Sequence, residues 1–179
     1  MYNKVYTPFK AYILAKGEKI METKRCCFTG HRNIIVNTAL KGRLWESLIR
    51  LVEEYGVTDF YAGGAMGFDM LAERAVLALK KSYPQVKLHL ILPCSPEIQT
   101  GKWVREYKAL FYEIMEKADS CTVLSEKYYP GCMKKRNEEL VKNADYCVCY
   151  YNAEDVSSGT GQTVRMCERN GVTVINIYK

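Results

Sequence analysis

At 179 residues the chain has room for one domain with a full core and too little length for two. Hydrophobic residues make up 48% and charged residues 26%, and no run approaches the roughly 20 apolar residues of a membrane span, so fibrous, disordered and membrane-spanning classes are excluded. The formal charge of +6 is mild, and five lysines against two glutamates in residues 1–24 place +3 of it in an N-terminal extension.

That extension, taken as residues 1–23, has only a short apolar patch and no clear cleavage site, so the expected location is cytoplasmic. A lysine-bearing arm can touch nucleic acid, and a solvated tail is the simpler reading. Met21 is a candidate start of translation, because the recognisable domain begins just after it.

The first strand is expected over Arg25–Thr29 and runs into Gly30-His31-Arg32. Asn37 then precedes Leu40, Leu44, Leu48, Leu51, Val52 and Tyr55, the spacing of one buried helix face, closed by Gly56. A second strand, Thr58–Tyr61, leads through Gly63-Gly64-Ala65-Met66-Gly67-Phe68-Asp69 into a helix expected over Met70–Lys80. Glycines in a strand-to-helix turn let a ligand approach the backbone, and the free N–H groups of the helix start suit a phosphate or carboxylate. The competing reading is a tight turn that only lets helix and strand pack. Asp69 would repel a phosphate, so a ribose hydroxyl or a backbone N–H is its expected partner.

A third strand, Val86–Leu92, stops at Pro93. Beyond Pro96 an aromatic-rich helix is expected to carry Trp103, Val104, Tyr107, Leu110, Phe111, Ile114 and Met115 in one apolar stripe, with Trp103 near enough to its start to reach a ligand. A fourth strand over Ser120–Leu124 is followed by a helix with Met133, Asn137, Leu140, Val141 and Ala144, and Arg136 beside Asn137 faces the same edge or solvent. The fifth strand, Asp145–Tyr151, leads to a glycine turn over Ser157–Gly161, a helix over Gln162–Asn170 and a sixth strand over Val172–Ile177.

Strands alternating with helices through connections too long for hairpins define an α/β chain, expected as one Rossmann-like domain over residues 24–179. Its sheet should be six-stranded and mostly parallel, with helices on both faces. In such a sheet the loops at the carboxyl ends of the strands share an edge, where ligands bind. Three of them carry suitable chemistry: Thr29-Gly30-His31-Arg32, Gly63-Gly64-Ala65, and Ser157-Ser158-Gly159-Thr160-Gly161. Arg32 offers a planar fork to a phosphate, and His31 a donor to phosphate or ribose. The eight cysteines include no C-x-x-C pair and there are two histidines, so the cysteines are read as reduced structural residues with no metal site. Dinucleotide G-x-G-x-x-G, P-loop and serine-elbow motifs are absent from the sequence.

Cys27-Phe28-Thr29-Gly30-His31-Arg32, the Gly63–Asp69 turn, Arg136-Asn137 and Ser158-Gly159-Thr160, in this order, resemble the YpsA-like family of the SLOG superfamily over about residues 24–179. The resemblance implies glycine turns that bind nucleotides or nucleotide-derived small molecules, with no other cofactor expected, and often a homodimer. The same turn and the Arg-Asn pair also resemble DNA-processing protein A, which binds single-stranded DNA. The phosphoribohydrolase branch places a catalytic glutamate where this chain has Thr163, beside Gln162. A nucleotide-binding sensor is therefore the first expectation. A phosphoribohydrolase-like enzyme using Asp69, or a single-stranded nucleic-acid binder, is the alternative.

Overall fold

A computed structural model describes residues 23–179, so the extension expected over residues 1–23, apart from Thr23, and the start considered at Met21 lie outside the described residues. Six strands, β1 Lys24–Gly30, β2 Val57–Ala62, β3 Lys87–Leu92, β4 Ser120–Val123, β5 Tyr146–Tyr150 and β6 Thr173–Asn176, form one sheet in the order β4-β3-β2-β1-β5-β6. Every neighbouring pair is parallel. The order reverses between β1 and β5, and that junction opens the crevice in which an open α/β sheet holds its ligand.

Alternation along the strands builds two cores. Cys26 and Phe28 on β1 and Val148 on β5 face one side; Cys27, Cys147 and Cys149 face the other. On the first side lie α1 Thr38–Glu53, α2 Phe68–Leu79 and α4 Arg105–Lys117; on the second, α5 Cys132–Lys142 and α6 Gly159–Arg169. The Asn37 side chain caps α1 by accepting from the Leu40 N–H at 2.8 Å, and Leu40, Leu44, Leu48, Leu51 and Val52 form its buried face. Burial of each such side chain is worth about 1.5–3 kcal/mol, so this stripe rather than intrinsic propensity holds the helix.

Two expectations are corrected. The aromatic stripe beyond Pro96 is not one helix: α3 spans Pro96–Thr100 and α4 begins at Arg105, leaving Trp103 in the break and Val104 extended. Only Phe111 and Ile114 of α4 are fully in the core, with Trp103 set edge-on to Phe111 at 5.6 Å; Val104 and Tyr107 are exposed. The second glycine turn is likewise part of a helix, because Gly159 and Gly161 lie in the first turn of α6 and Ser158 is its N-cap. Among the described residues, edge strand β4 is exposed along its length, Cys121 included, and pairs only with β3. Among the described residues, no helix is long and apolar enough to cross a membrane.

Candidate functional site

At the carboxyl end of β1, where the strand order reverses, a cavity of about 300 Å³ opens between the β1–α1 loop, the β2–α2 turn, α5 and the start of α6. Thr29, Gly30, His31, Arg32, Ala65, Asp69, Arg136, Asn137, Ser158, Gly159 and Thr160 line it, together with Met133. These include eleven of the thirteen residues singled out from the sequence. The exceptions are Gly63 and Gly64, and their backbone geometry explains why.

The β2–α2 turn already meets carboxyls of its own. Glu73 on α2 takes the Gly64 N–H at 3.0 Å, and the Ala65 and Gly63 N–H groups lie close enough to Asp69, one turn earlier, to pull its pKa down. One amide expected to cradle a ligand phosphate, that of Gly64, is therefore closed by a protein carboxyl. Gly63 serves a different purpose, since a Cβ built there would fall 1.3 Å from Nη1 of Arg136. Gly67 packs against the backbone of Arg32, where a Cβ would lie 2.2 Å from its carbonyl oxygen, and its φ of +82° suits glycine. With the Phe68 N–H donating to the His31 carbonyl at 3.2 Å, the first two loops are fastened together.

Arg136 is the pivot of the cavity. Its guanidinium is 7% exposed and its Nη1 lies 3.7 Å from the Asp69 carboxylate, an ion pair beyond hydrogen-bond reach. Nε and Nη1 are buried without a hydrogen-bond partner among the described residues. Burial pushes the Arg136 pKa down; Asp69 opposes that shift, and the neighbouring Arg32 cation adds to it. Burial also pushes the Asp69 carboxyl up, against the pull of Arg136, the Ala65 and Gly63 N–H groups and Arg32. Glu73, with no exposure at all, is pushed up strongly by burial and by the charge of Asp69, and the Gly64 N–H and Arg136 offset only part of it.

The other side of the cavity is the N-terminus of α6. Ser158 Oγ takes the Gly161 N–H at 3.0 Å, and the space beside Gly159 is open. Among the described residues no acceptor meets the N–H groups of Gly159 and Thr160, so this end of the helix retains free donors facing the cavity. Asn137 donates to Thr163 Oγ1 at 2.8 Å, and Thr163 donates to the Gly159 carbonyl at 2.8 Å, which ties α5 to the first turn of α6. Thr163, the residue aligned with the phosphoribohydrolase acid, is thus a fully buried structural tie.

Two lining residues do different work from that expected of them. The missing Cβ of Gly30 makes room for Phe68, whose atoms would lie 2.5 Å from it. His31 accepts the Asn152 N–H on Nε2 at 3.1 Å, which puts the ring proton on Nδ1, 3.8 Å from Asp155. Nε2 thus holds the β5–α6 loop, while Nδ1 lies beyond hydrogen-bond reach of Asp155. Glu73, Met133 and Gln99 were not singled out from the sequence. Glu73 was legible there as the i+4 neighbour of Asp69 on one helix face. Gln99, which donates to the Gly64 carbonyl at 2.5 Å, borders with Trp103 a small adjoining cleft that shares Arg32 and Arg136.

An open parallel sheet with a polar cavity at its switch point defines a Rossmann-like α/β protein. The profile of the YspA SLOG family matches residues 26–177, and the chain belongs to that family. It is 27% identical over 130 residues to a UPF0398 protein of Halalkalibacterium halodurans, covering 72% of this chain and 66% of that one. A UPF0398 protein of Brevibacillus brevis is 30% identical over 121 residues, covering 66% and 63%. The chain thus spans slightly less than two thirds of the length of these relatives. In fold it is similar to DNA processing protein A from Streptococcus pneumoniae, with a TM-score of 0.58 and 19% identity over 85% of this chain and 49% of that one.

Proposed function

We propose that the cavity binds a nucleotide-like small molecule through its phosphate, and that the protein acts as a binding or sensing module. The observation that carries this reading is Arg136: a buried cation with two unpartnered nitrogens, beside a second cation that repels it. An unsatisfied buried guanidinium is costly, and an anion between Arg136 and Arg32 would supply both the missing acceptors and the missing charge. The free N–H groups of Gly159 and Thr160 would complete the cradle from the α6 side. Thr29 and Asn137 are then placed for sugar or base, and Asp69 stays paired with Arg136.

Hydrolysis is the less supported reading. Thr163 cannot ionise at neutral pH, and Asp69 is buried and paired with Arg136, which leaves it poorly placed to activate water.

The test is a thermal-shift series with inorganic phosphate, nucleoside mono- and diphosphates, NAD and ADP-ribose. Phosphate-bearing nucleotides should raise Tm in the intact protein, and Arg32→Ala should need roughly ten- to hundredfold more ligand for the same rise. A flat response to every phosphate compound would overturn the proposal. Release of free base from a nucleoside monophosphate, abolished in Asp69→Asn, would replace it with the enzymatic reading.

A further inference from the structure

Three of the eight cysteines converge in the second core, away from the cavity. Cys27 on β1 and Cys147 on β5 are register partners in adjacent strands and face the same side of the sheet. Cys167, in the last turn of α6, comes down onto them, and the three sulfurs all lie within 4.8 Å of one another. Each residue is 0% exposed, within an apolar shell that includes Val164, Val141 and Val172.

We propose that Cys27, Cys147 and Cys167 form a buried three-sulfur site for a soft, thiophilic ion. Three thiolates around one ion at a metal–sulfur distance of about 2.3 Å stand about 4 Å apart, within the spread found here. An all-sulfur ligand set selects soft ions. Among the described residues no fourth cysteine, histidine or carboxylate joins the cluster, whereas structural zinc sites are four-coordinate. Three-coordinate Cu(I) and trivalent arsenic share the required chemistry. Arsenite would exchange three S–H protons for three As–S bonds and release three waters, leaving a neutral adduct suited to an apolar shell.

A surface groove of about 600 Å³ between α5 and α6 is lined by Val141, Val172 and Met166, which pack in the same core as the three cysteines.

The experiment titrates the full-length reduced protein with arsenite and, separately, with Cu(I) against a competing chelator, and uses Zn(II) as a contrast. Native mass spectrometry should find one arsenic or one copper retained per chain, with zinc lost to the chelator. Retention should persist in Cys121→Ser, on the exposed edge strand, and disappear in Cys147→Ala and Cys167→Ala. X-ray absorption on the loaded wild-type protein should show three sulfur neighbours, a readout that stands even if an alanine variant fails to fold. Failure to retain either ion, retention undiminished in folded Cys147→Ala, or fewer than three sulfurs around the ion would overturn the proposal.

Discussion

The guanidinium of Arg136 fills the space that a side chain on Gly63 would need, with Nη1 1.3 Å from where its Cβ would stand. The glycine at the end of β2 therefore sets the position of the cavity's buried cation. Gly63→Ala should push Arg136 from its place against Asp69, lowering stability by about 1–3 kcal/mol as overpacking does, and abolishing any ligand-induced rise in Tm. Gly42→Ala is the matched control. Gly42 lies inside α1 with open space around its Cβ position, so that change should raise stability by about 0.5–1 kcal/mol. Denaturant unfolding of the two variants checks both signs.

Glu73 predicts a pH dependence of stability. Its carboxyl is raised in the folded state, first by burial and then by Asp69, so the folded protein binds this proton more tightly than the unfolded chain. Stability from this group is therefore full below the ordinary carboxylate range and declines as pH rises from there toward the raised value. For one proton the slope is at most about 1.4 kcal/mol per pH unit. Glu73→Gln keeps an oxygen for the Gly64 N–H and should flatten the decline in urea unfolding followed from about pH 5 to about pH 8. Glu73→Ala instead strands that N–H and should cost about 1–3 kcal/mol throughout. A wild-type profile that rises over the same range would contradict the assignment.

Ser158 and Asn37 cap different helices and separate stability from binding. Each side chain accepts an N–H of the first turn, Ser158 from Gly161 at 3.0 Å and Asn37 from Leu40 at 2.8 Å. Alanine at either position should cost about 0.5–2 kcal/mol. Only Ser158 lines the cavity, so Ser158→Ala should also weaken nucleotide binding, while Asn37→Ala leaves affinity unchanged. Calorimetric titration of the two variants against one nucleotide makes the comparison.

The sheet was legible because short apolar runs along β1 and β5 and helical spacing along α1 are local patterns, and a chain of this length has few ways to bury both. Legibility stopped where a position's meaning depends on its neighbours in space. Gly63 and Gly64 carry the composition of a phosphate turn, yet Gly64 meets the Glu73 carboxyl, projected back from α2, and Gly63 makes room for Arg136. Gly30 looks like a ligand-approach glycine and is fixed instead by the Phe68 ring. The break before α4 was hidden because Trp103 and Val104 extend the apolar spacing of the helix beyond it. The cysteine cluster was hidden too, because Cys27, Cys147 and Cys167 come from three separate elements with no spacing motif to connect them.

His31 and Arg32 are adjacent in sequence and opposite in role, which makes them the sharpest test of the cavity. Arg32 is exposed and contributes charge beside Arg136, so Arg32→Ala should leave the folded protein as stable or slightly more so, because it removes a like-charge repulsion. Its loss should instead weaken phosphate binding by about 1.5–3 kcal/mol, the worth of a hydrogen bond to a charged group and roughly a ten- to hundredfold change in Kd. His31 anchors the β5–α6 loop through the Asn152 N–H, so His31→Ala should cost about 1 kcal/mol of stability. Its effect on affinity should come only through loosening of the α6 start, and His31→Gln, which can still offer an acceptor, should recover part of both. Equal losses of affinity and stability in Arg32→Ala would mean that the side chain is structural, and the anion would then have to be sought at Arg136 and α6 alone.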